Sequence, residues 1–313
     1  MTDVTRGADD APELEVGLIG LGLMGSAMTT RLLAAGFTVV GTDPVEAART
    51  AHTERGGVAV ASIAEVVARC PVAILSLPNG DATREVCLGA GGISTSAAPG
   101  TVIIETSTIL AEEVEEMAAG LADVGIHFYD AALSGSSDMV GRGEALGMVG
   151  GDGEGIEQVH RVLDAICRNV RAVGRVGDGM RAKLVVNAVL TLNRFALAEG
   201  LVMAEQMGVD TQQMLDVLRD SAATSRAMDM WGPRMVARKY DEPRSRIKQH
   251  NKDATLILAT GRKHGAPMLA STQVNAVVQM ALNHGMNELD NACVIEVLRW
   301  MAGSDEPLPK PSA

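Results

Sequence analysis

The hexapeptide Gly20-Leu21-Gly22-Leu23-Met24-Gly25 constrains this chain more than any other feature, because it follows a short apolar run, VGLI, and opens a helical pattern that ends near Gly36. A bare G-x-G-x-x-G is weak evidence in a chain with 34 glycines, and the strand before it and helix after it supply the context that gives it weight. In that setting the first glycine permits a tight turn, the second lets the backbone approach a pyrophosphate, and the third allows close helix packing. Phosphate oxygens would sit at the helix N-terminus, where unpaired N–H groups and the dipole favour negative charge. Asp43 closes the next predicted strand, 18 residues past Gly25, where an acid hydrogen-bonds ribose hydroxyls and repels a 2′-phosphate. The same residue could instead cap the following helix through the turn Asp43-Pro44. The ribose role points to NAD, and Arg49 and Arg55 downstream leave NADP possible.

Around this motif, β-type runs at 16–19, 38–42, 58–61, 72–77, 102–105 and 126–129 alternate with helical stretches such as 26–35 and 111–123. That is the pattern of βαβ units and a parallel sheet. Residues 145–173 add a strand, a helix and another strand. After Gly174 the β signal stops, and long helical patterns follow, punctuated by Gly208, Pro233, Pro243, Gly265 and Gly285. The expected architecture is a doubly wound α/β Rossmann-type domain over 14–176, then an all-α domain over 177–303. Loose tails are expected at 1–13 and 304–313. Residues 181–207 form the joint: they hold no proline and are apolar almost all round, the signature of a helix buried on most faces. Four polar residues of this helix, Lys183, Asn187, Thr191 and Arg194, fall on one face. Such a stripe must meet something polar, whether backbone, water or a ligand.

Charge and cysteine content close other options. A formal charge of −12 removes the driving force for wrapping nucleic acid or an anionic membrane. The longest uncharged runs are interrupted by polar residues, so no membrane span is expected. Four cysteines, Cys70, Cys87, Cys167 and Cys293, form no C-x-x-C, so neither a metal site nor a disulfide framework is expected, and a reducing cytoplasm fits best. The acidic start of the chain lacks a hydrophobic segment before Leu14, which argues against a secretory signal. Against the acidic background, residues 226–252 carry eight Lys/Arg and three acids. This stretch is either a solvated helix face or a surface that steers a carboxylate into an interdomain cleft.

Four segments in order bring the chain close to a known family. GLIGLGLMGSAMTTRLLAAG, YDAALSGSSDMVGRGEALGMVGG, GDGMRAKLVVNAVL and NKDATLILA together resemble the β-hydroxyacid dehydrogenase family, which includes 3-hydroxyisobutyrate dehydrogenase and tartronate semialdehyde reductase. The resemblance spans residues 16–303. It implies hydride transfer between NAD(P) and the 3-hydroxyl, or the semialdehyde, of a small carboxylate substrate. It assigns Lys183 as general acid/base and Asn187 as a ligand of the substrate hydroxyl, two residues the polar stripe already sets one turn apart. A lysine serves as base only where burial or a neighbouring cation lowers its pKa, and the apolar helix would supply burial. Ser134, Gly135 and Ser136 would hold the substrate carboxylate; without the resemblance they read as an ordinary turn. Thr108 would lie near the nicotinamide, or serve as N-cap of a helix beginning near Leu110. Leu77 and Pro78 would line the cofactor, and Lys252 would sit beside the nicotinamide. The resemblance also implies a homodimer or homotetramer.

Departures from the family pattern cluster at the substrate end. Ala132 replaces a proline, Ser136 a glycine, and Val186 a residue often Asn or His, and the usual P-G-F near 240–247 is absent. A substrate other than 3-hydroxyisobutyrate is therefore expected. Two other readings stand beside this one. An imine reductase has similar architecture but usually places Asp or Tyr where Lys183 stands. A non-catalytic dinucleotide-binding scaffold would share the fold without the chemistry.

Overall fold

The computed structural model describes residues 15–311, so the tail expected at 1–13 lies outside the described residues. The chain divides into two compact units between Lys183 and Leu184. In the first, eight strands form one sheet: β1 Glu15–Ile19, β2 Thr38–Thr42, β3 Val58–Ala59, β4 Val72–Leu75, β5 Val102–Glu105, β6 His127–Ser134, β7 Ala145–Gly150 and β8 Cys167–Gly174. Their spatial order is β3-β2-β1-β4-β5-β6-β7-β8. All neighbours are parallel except β6 and β7. The first six strands follow the doubly wound order, whose direction reverses between β1 and β4; ligands of such sheets bind outside the carboxyl ends at that reversal. Strands β1, β4 and β5 are buried nearly end to end, as parallel strands covered on both faces must be.

The helices of this unit are α1 Leu23–Ala34, α2 Glu46–Glu54, α3 Ile63–Arg69, α4 Gly80–Leu88, α5 Ile93–Ser96, α6 Ala111–Ala122, α7 Ser137–Gly141 and α8 Ile156–Ile166. Met28 and Leu32 of α1, with Val159, Val162, Leu163 and Ile166 of α8, pack on Val16, Leu18, Val72, Ile74 and Ile104 in one apolar cluster. Strand β6 runs five residues past its expected end at 129, which makes Ser134 its last residue. The third and fourth strands are shorter than expected, ending at Ala59 and Leu75.

Helix α9, Asp178–Gln206, begins in the first unit and continues into the second. The second unit adds α10 Thr211–Asp220, α11 Arg226–Ala237, α12 Ile247–Lys263, α13 Leu269–Asn283 and α14 Val294–Met301, the last preceded by a 3₁₀ turn, Asn291–Cys293. Its core gathers Leu197, Leu201, Trp231, Met235, Ile247, Val278 and Ile295. Residues 304–311 carry neither helix nor strand, although Leu308 packs against this core.

One expectation for α9 needs correction. The helix is not buried on most faces: Val185, Val189 and Met203 are each more than half exposed. Among the described residues it is also the one helix long and apolar enough to cross a membrane by length and composition. Yet the far half of its polar stripe lies within the core of the second unit. Thr191 is buried, and Arg194 is 3% exposed with its guanidinium 5.0 Å from the Trp231 ring centre. Burial pulls the Arg194 pKa down to about 10.

Candidate functional site

The glycine-rich loop closes the carboxyl end of β1 as its sequence requires. Gly20 adopts φ +99°, and a Cβ there would meet the Ser76 carbonyl oxygen at 2.2 Å. Gly25 sits so close to Gly20 that a Cβ would lie 2.1 Å from the Gly20 carbonyl oxygen. Gly22, the N-cap residue of α1, instead faces open space, and Leu23 beside it is 78% exposed. Leu21 is buried and Met24 half-buried. Tight packing at the first and third glycines with an open second glycine is the cradle a pyrophosphate needs.

Asp43 braces this loop. Its Oδ2 accepts the Leu21 N–H at 2.8 Å and its Oδ1 the Val45 N–H at 2.8 Å. The cap expected of Asp43 is thus a local turn: Val45 is the N-cap residue of α2 and has no side-chain cap. Each carboxylate oxygen keeps further acceptor capacity, so the ribose role is compatible with the brace. Arg49 is turned onto the Asp43 carbonyl oxygen.

At the ends of β4 and β5 the loops are tied together. The Ser107 hydroxyl accepts the Leu77 N–H at 2.8 Å, and the Thr106 hydroxyl donates to the Leu75 carbonyl at 2.6 Å. Leu77 and Pro78 therefore follow β4 in a fixed loop, and Thr108 follows β5. Helix α6 has Leu110 as its N-cap residue, with the Glu113 carboxylate accepting the Leu110 N–H at 2.8 Å, so Thr108 is not the cap. Glu105, at the end of β5, is fully buried. Its Oε1 accepts the Ser107 N–H, and its Oε2 has no hydrogen-bond partner. Burial pushes its pKa up to about 8, partly offset by the Ser107 bonds.

The proposed substrate segment starts where β6 ends. Ser136 is the N-cap of α7, its Oγ accepting the Met139 N–H at 3.3 Å, which leaves the hydroxyl proton available to donate. Lys183, half-buried on α9, donates from Nζ to the Leu133 carbonyl at 2.5 Å, one residue before Ser134. The structure thus brings Lys183 to the start of the 134–136 loop within the first unit. Asn187 and Lys252 belong to the second unit. There the Asn187 amide donates to Asp253 at 3.2 Å, and Lys252 is exposed on α12.

Sequence reading missed Glu105, Ser107 and Asp253. A legible signal existed for Asp253, the neighbour of Lys252, and for Glu105, an acid closing a wholly apolar strand. Four of the eight basic residues at 226–252 have partners in the following contacts. Arg234 bonds the Glu242 carbonyl and lies 3.7 Å from Asp290, Arg238 pairs with Glu306, and Arg246 and Lys248 pair with Glu288.

Two family descriptions match the chain: the NAD-binding domain of 6-phosphogluconate dehydrogenase over residues 15–174, and the NAD-binding region of NADP-dependent 3-hydroxyisobutyrate dehydrogenase over 177–298. The chain is 30% identical over 287 residues to glyoxylate/succinic semialdehyde reductase 1 of Arabidopsis thaliana, covering 92% of this chain and 99% of that one. It is 29% identical to 2-(hydroxymethyl)glutarate dehydrogenase of Eubacterium barkeri, covering 93% and 96%. Among solved structures, 3-hydroxyisobutyrate dehydrogenase of Mycobacterium tuberculosis with L-serine aligns with a TM-score of 0.83 at 27% identity, covering 91% of this chain and 99% of that one.

Proposed function

The chain belongs to the β-hydroxyacid dehydrogenase family, and from that premise we propose that it interconverts a small 3-hydroxyacid and its semialdehyde with Lys183 as the proton carrier. The nicotinamide, when bound, supplies hydride acceptance or donation at C4. Lys183 Nζ takes the hydroxyl proton in the oxidative direction and returns it in the reductive one. Ser134 and Ser136, with the Gly135 backbone, hold the substrate carboxylate, and Asn187 orients the reacting hydroxyl. Gly20 to Gly25 hold the pyrophosphate, Asp43 the adenosine ribose, and Leu77, Pro78, Thr108 and Lys252 the nicotinamide end.

One observation carries the reading. The Lys183 amine is fixed against the Leu133 carbonyl, directly beside the loop assigned to the carboxylate. A proton carrier and an anion-holding loop within one residue of each other are the parts a 3-hydroxyacid needs, since a single carbon separates its carbinol carbon from its carboxylate. The name of the 2-(hydroxymethyl)glutarate dehydrogenase supports this substrate class, because the hydroxyl of that compound sits on the carbon β to a carboxylate. Ala132, Ser136 and Val186 at the substrate end support a substrate other than 3-hydroxyisobutyrate. Asp43 supports NAD over NADP. The exposed apolar side chains of α9 support a homodimer or homotetramer in which a second copy covers Val185, Val189 and Met203. Four free, buried cysteines support a cytoplasmic setting.

The test is a panel of small 3-hydroxyacids and their semialdehydes, assayed with NAD(H) and NADP(H) on wild type and Lys183→Ala. The variant should lose at least about two orders of magnitude in turnover while binding NADH normally. Near-normal turnover in that variant would refute the role of Lys183. Inactivity of wild type across the panel despite tight NADH binding would favour a non-catalytic scaffold.

A further inference from the structure

Asp130 is fully buried on β6, and nothing in the proton-transfer scheme uses it. Its Oδ1 accepts the Gly177 N–H at 2.7 Å and its Oδ2 the Met180 N–H at 2.8 Å. With α9 starting at Asp178, these are the amides of the N-cap and third helical positions, two of the donors a helix start leaves without intrahelical partners. A capping box satisfies the same pair from within the helix. Here one carboxylate does so from 47 and 50 residues away.

The surroundings are shaped to admit this carboxylate. A Cβ at Gly150 would lie 2.3 Å from its Oδ1, and a Cβ at Gly179 would lie 2.7 Å from its Oδ2. Gly177 takes a left-handed φ of +93°, which turns the chain into the helix. A negative group at this end also meets the positive pole of the α9 dipole. Burial raises the Asp130 pKa, and the two backbone N–H bonds oppose that rise.

A second tie joins the same two elements one step along each. Three residues beyond Asp130 on β6 is Leu133, whose carbonyl accepts Lys183 Nζ; three residues beyond Met180 on α9 is Lys183 itself. We propose that Asp130 is a positioning residue: by latching the first turn of α9 to β6, it sets where the Lys183 amine stands relative to the 134–136 loop. This rests on the reading of Lys183 as the proton carrier. The latch touches neither substrate nor cofactor, and it acts through the lysine alone.

Asp130→Asn is the informative change. An amide offers one acceptor oxygen and sets its NH₂ against the second backbone N–H, donor against donor. The measurements are kcat, KM and NADH affinity of this variant, alone and combined with Lys183→Ala, with amide hydrogen exchange followed over residues 177–183. In Asp130→Asn, kcat should fall by up to about a hundredfold, the effect of misplacing a reacting group by an ångström. NADH affinity should hold while the 177–183 amides exchange faster. In the Lys183→Ala background the same change should alter residual turnover less than about twofold, since two residues acting as one unit are not additive. Full kcat in folded Asp130→Asn, or an equal fold-loss in both backgrounds, would overturn the proposal. If Lys183→Ala itself stays fully active, the lysine assignment fails and takes the positioning role with it. An inactive Lys183→Ala beside a fully active Asp130→Asn rejects the latch alone. Should Asp130→Asn not fold, Gly150→Ala presses a methyl first onto Asp130 Oδ1; a matching kcat loss supports the latch, and full activity rejects it.

Discussion

Glu105 makes the first unit's stability depend on pH in a direction opposite to most carboxylates. The side chain is fully buried, with one oxygen accepting the Ser107 N–H and the other without a hydrogen-bond partner. Burial holds its pKa at about 8, against an ordinary 4.5. Between those pH values the unfolded chain has released a proton that the folded chain keeps. Stability therefore falls as pH rises through the window, at about 1.4 kcal/mol per pH unit, is fully present below pH 4.5 and levels off above pH 8. Integrated across the window the loss approaches roughly 5 kcal/mol, a large share of the 5–15 kcal/mol typical of a domain, which makes it measurable.

Glu105→Gln isolates this contribution, because the amide keeps an acceptor for the Ser107 N–H and nearly the same volume but does not titrate. Urea unfolding of wild type and variant between pH 5 and 9, followed by far-UV circular dichroism, compares the two. Trp231 and Trp300 both lie in the second unit, so tryptophan fluorescence recorded alongside separates that unit's transition from the first. The two proteins should be similar near pH 5, and the variant should be several kcal/mol more stable near pH 9, with unchanged m-values. Parallel stability profiles across the window, or a variant that loses its advantage as pH rises, would refute a buried Glu105 with a raised pKa.

Two further predictions concern the cofactor and the assembly. Asp43→Asn removes the charge facing a 2′-phosphate, so the ratio of kcat/KM for NAD over NADP should fall at least about tenfold, the equivalent of one charged hydrogen bond; unchanged discrimination would leave Asp43 as a brace for Leu21 and Val45 only. Val189→Glu places a charge on the exposed apolar face of α9 and should shift sedimentation velocity toward a smaller species while NADH affinity holds; a wild-type monomer at micromolar concentration would contradict the assembly.

What the sequence could reveal follows from the range of each interaction. The glycine loop and the early strands were legible because their signals are local: a turn that excludes side chains, and near-continuous apolar runs that parallel strands require. The short helices α5 and α7, with four and five residues, gave too little periodicity to read. The partners of the basic stretch at 226–252 were not legible, because the acids that meet Arg234, Arg238, Arg246 and Lys248, namely Asp290, Glu306 and Glu288, come later in the chain. Asp130 shows the limit most sharply. In sequence it is one acid in YDAALSG, and its role exists only once β6 brings it to amides 47 and 50 residues away. Helix α9 shows a different limit. The apolar pattern of α9 states that a helix of this kind needs cover. It does not state by what. In this chain the polar stripe from Thr191 to Arg194 turns into the second unit's core, while Val185, Val189 and Met203 remain exposed. If a second copy of the chain covers this face, as proposed, the removal of these side chains from water is what the Val189→Glu experiment reads.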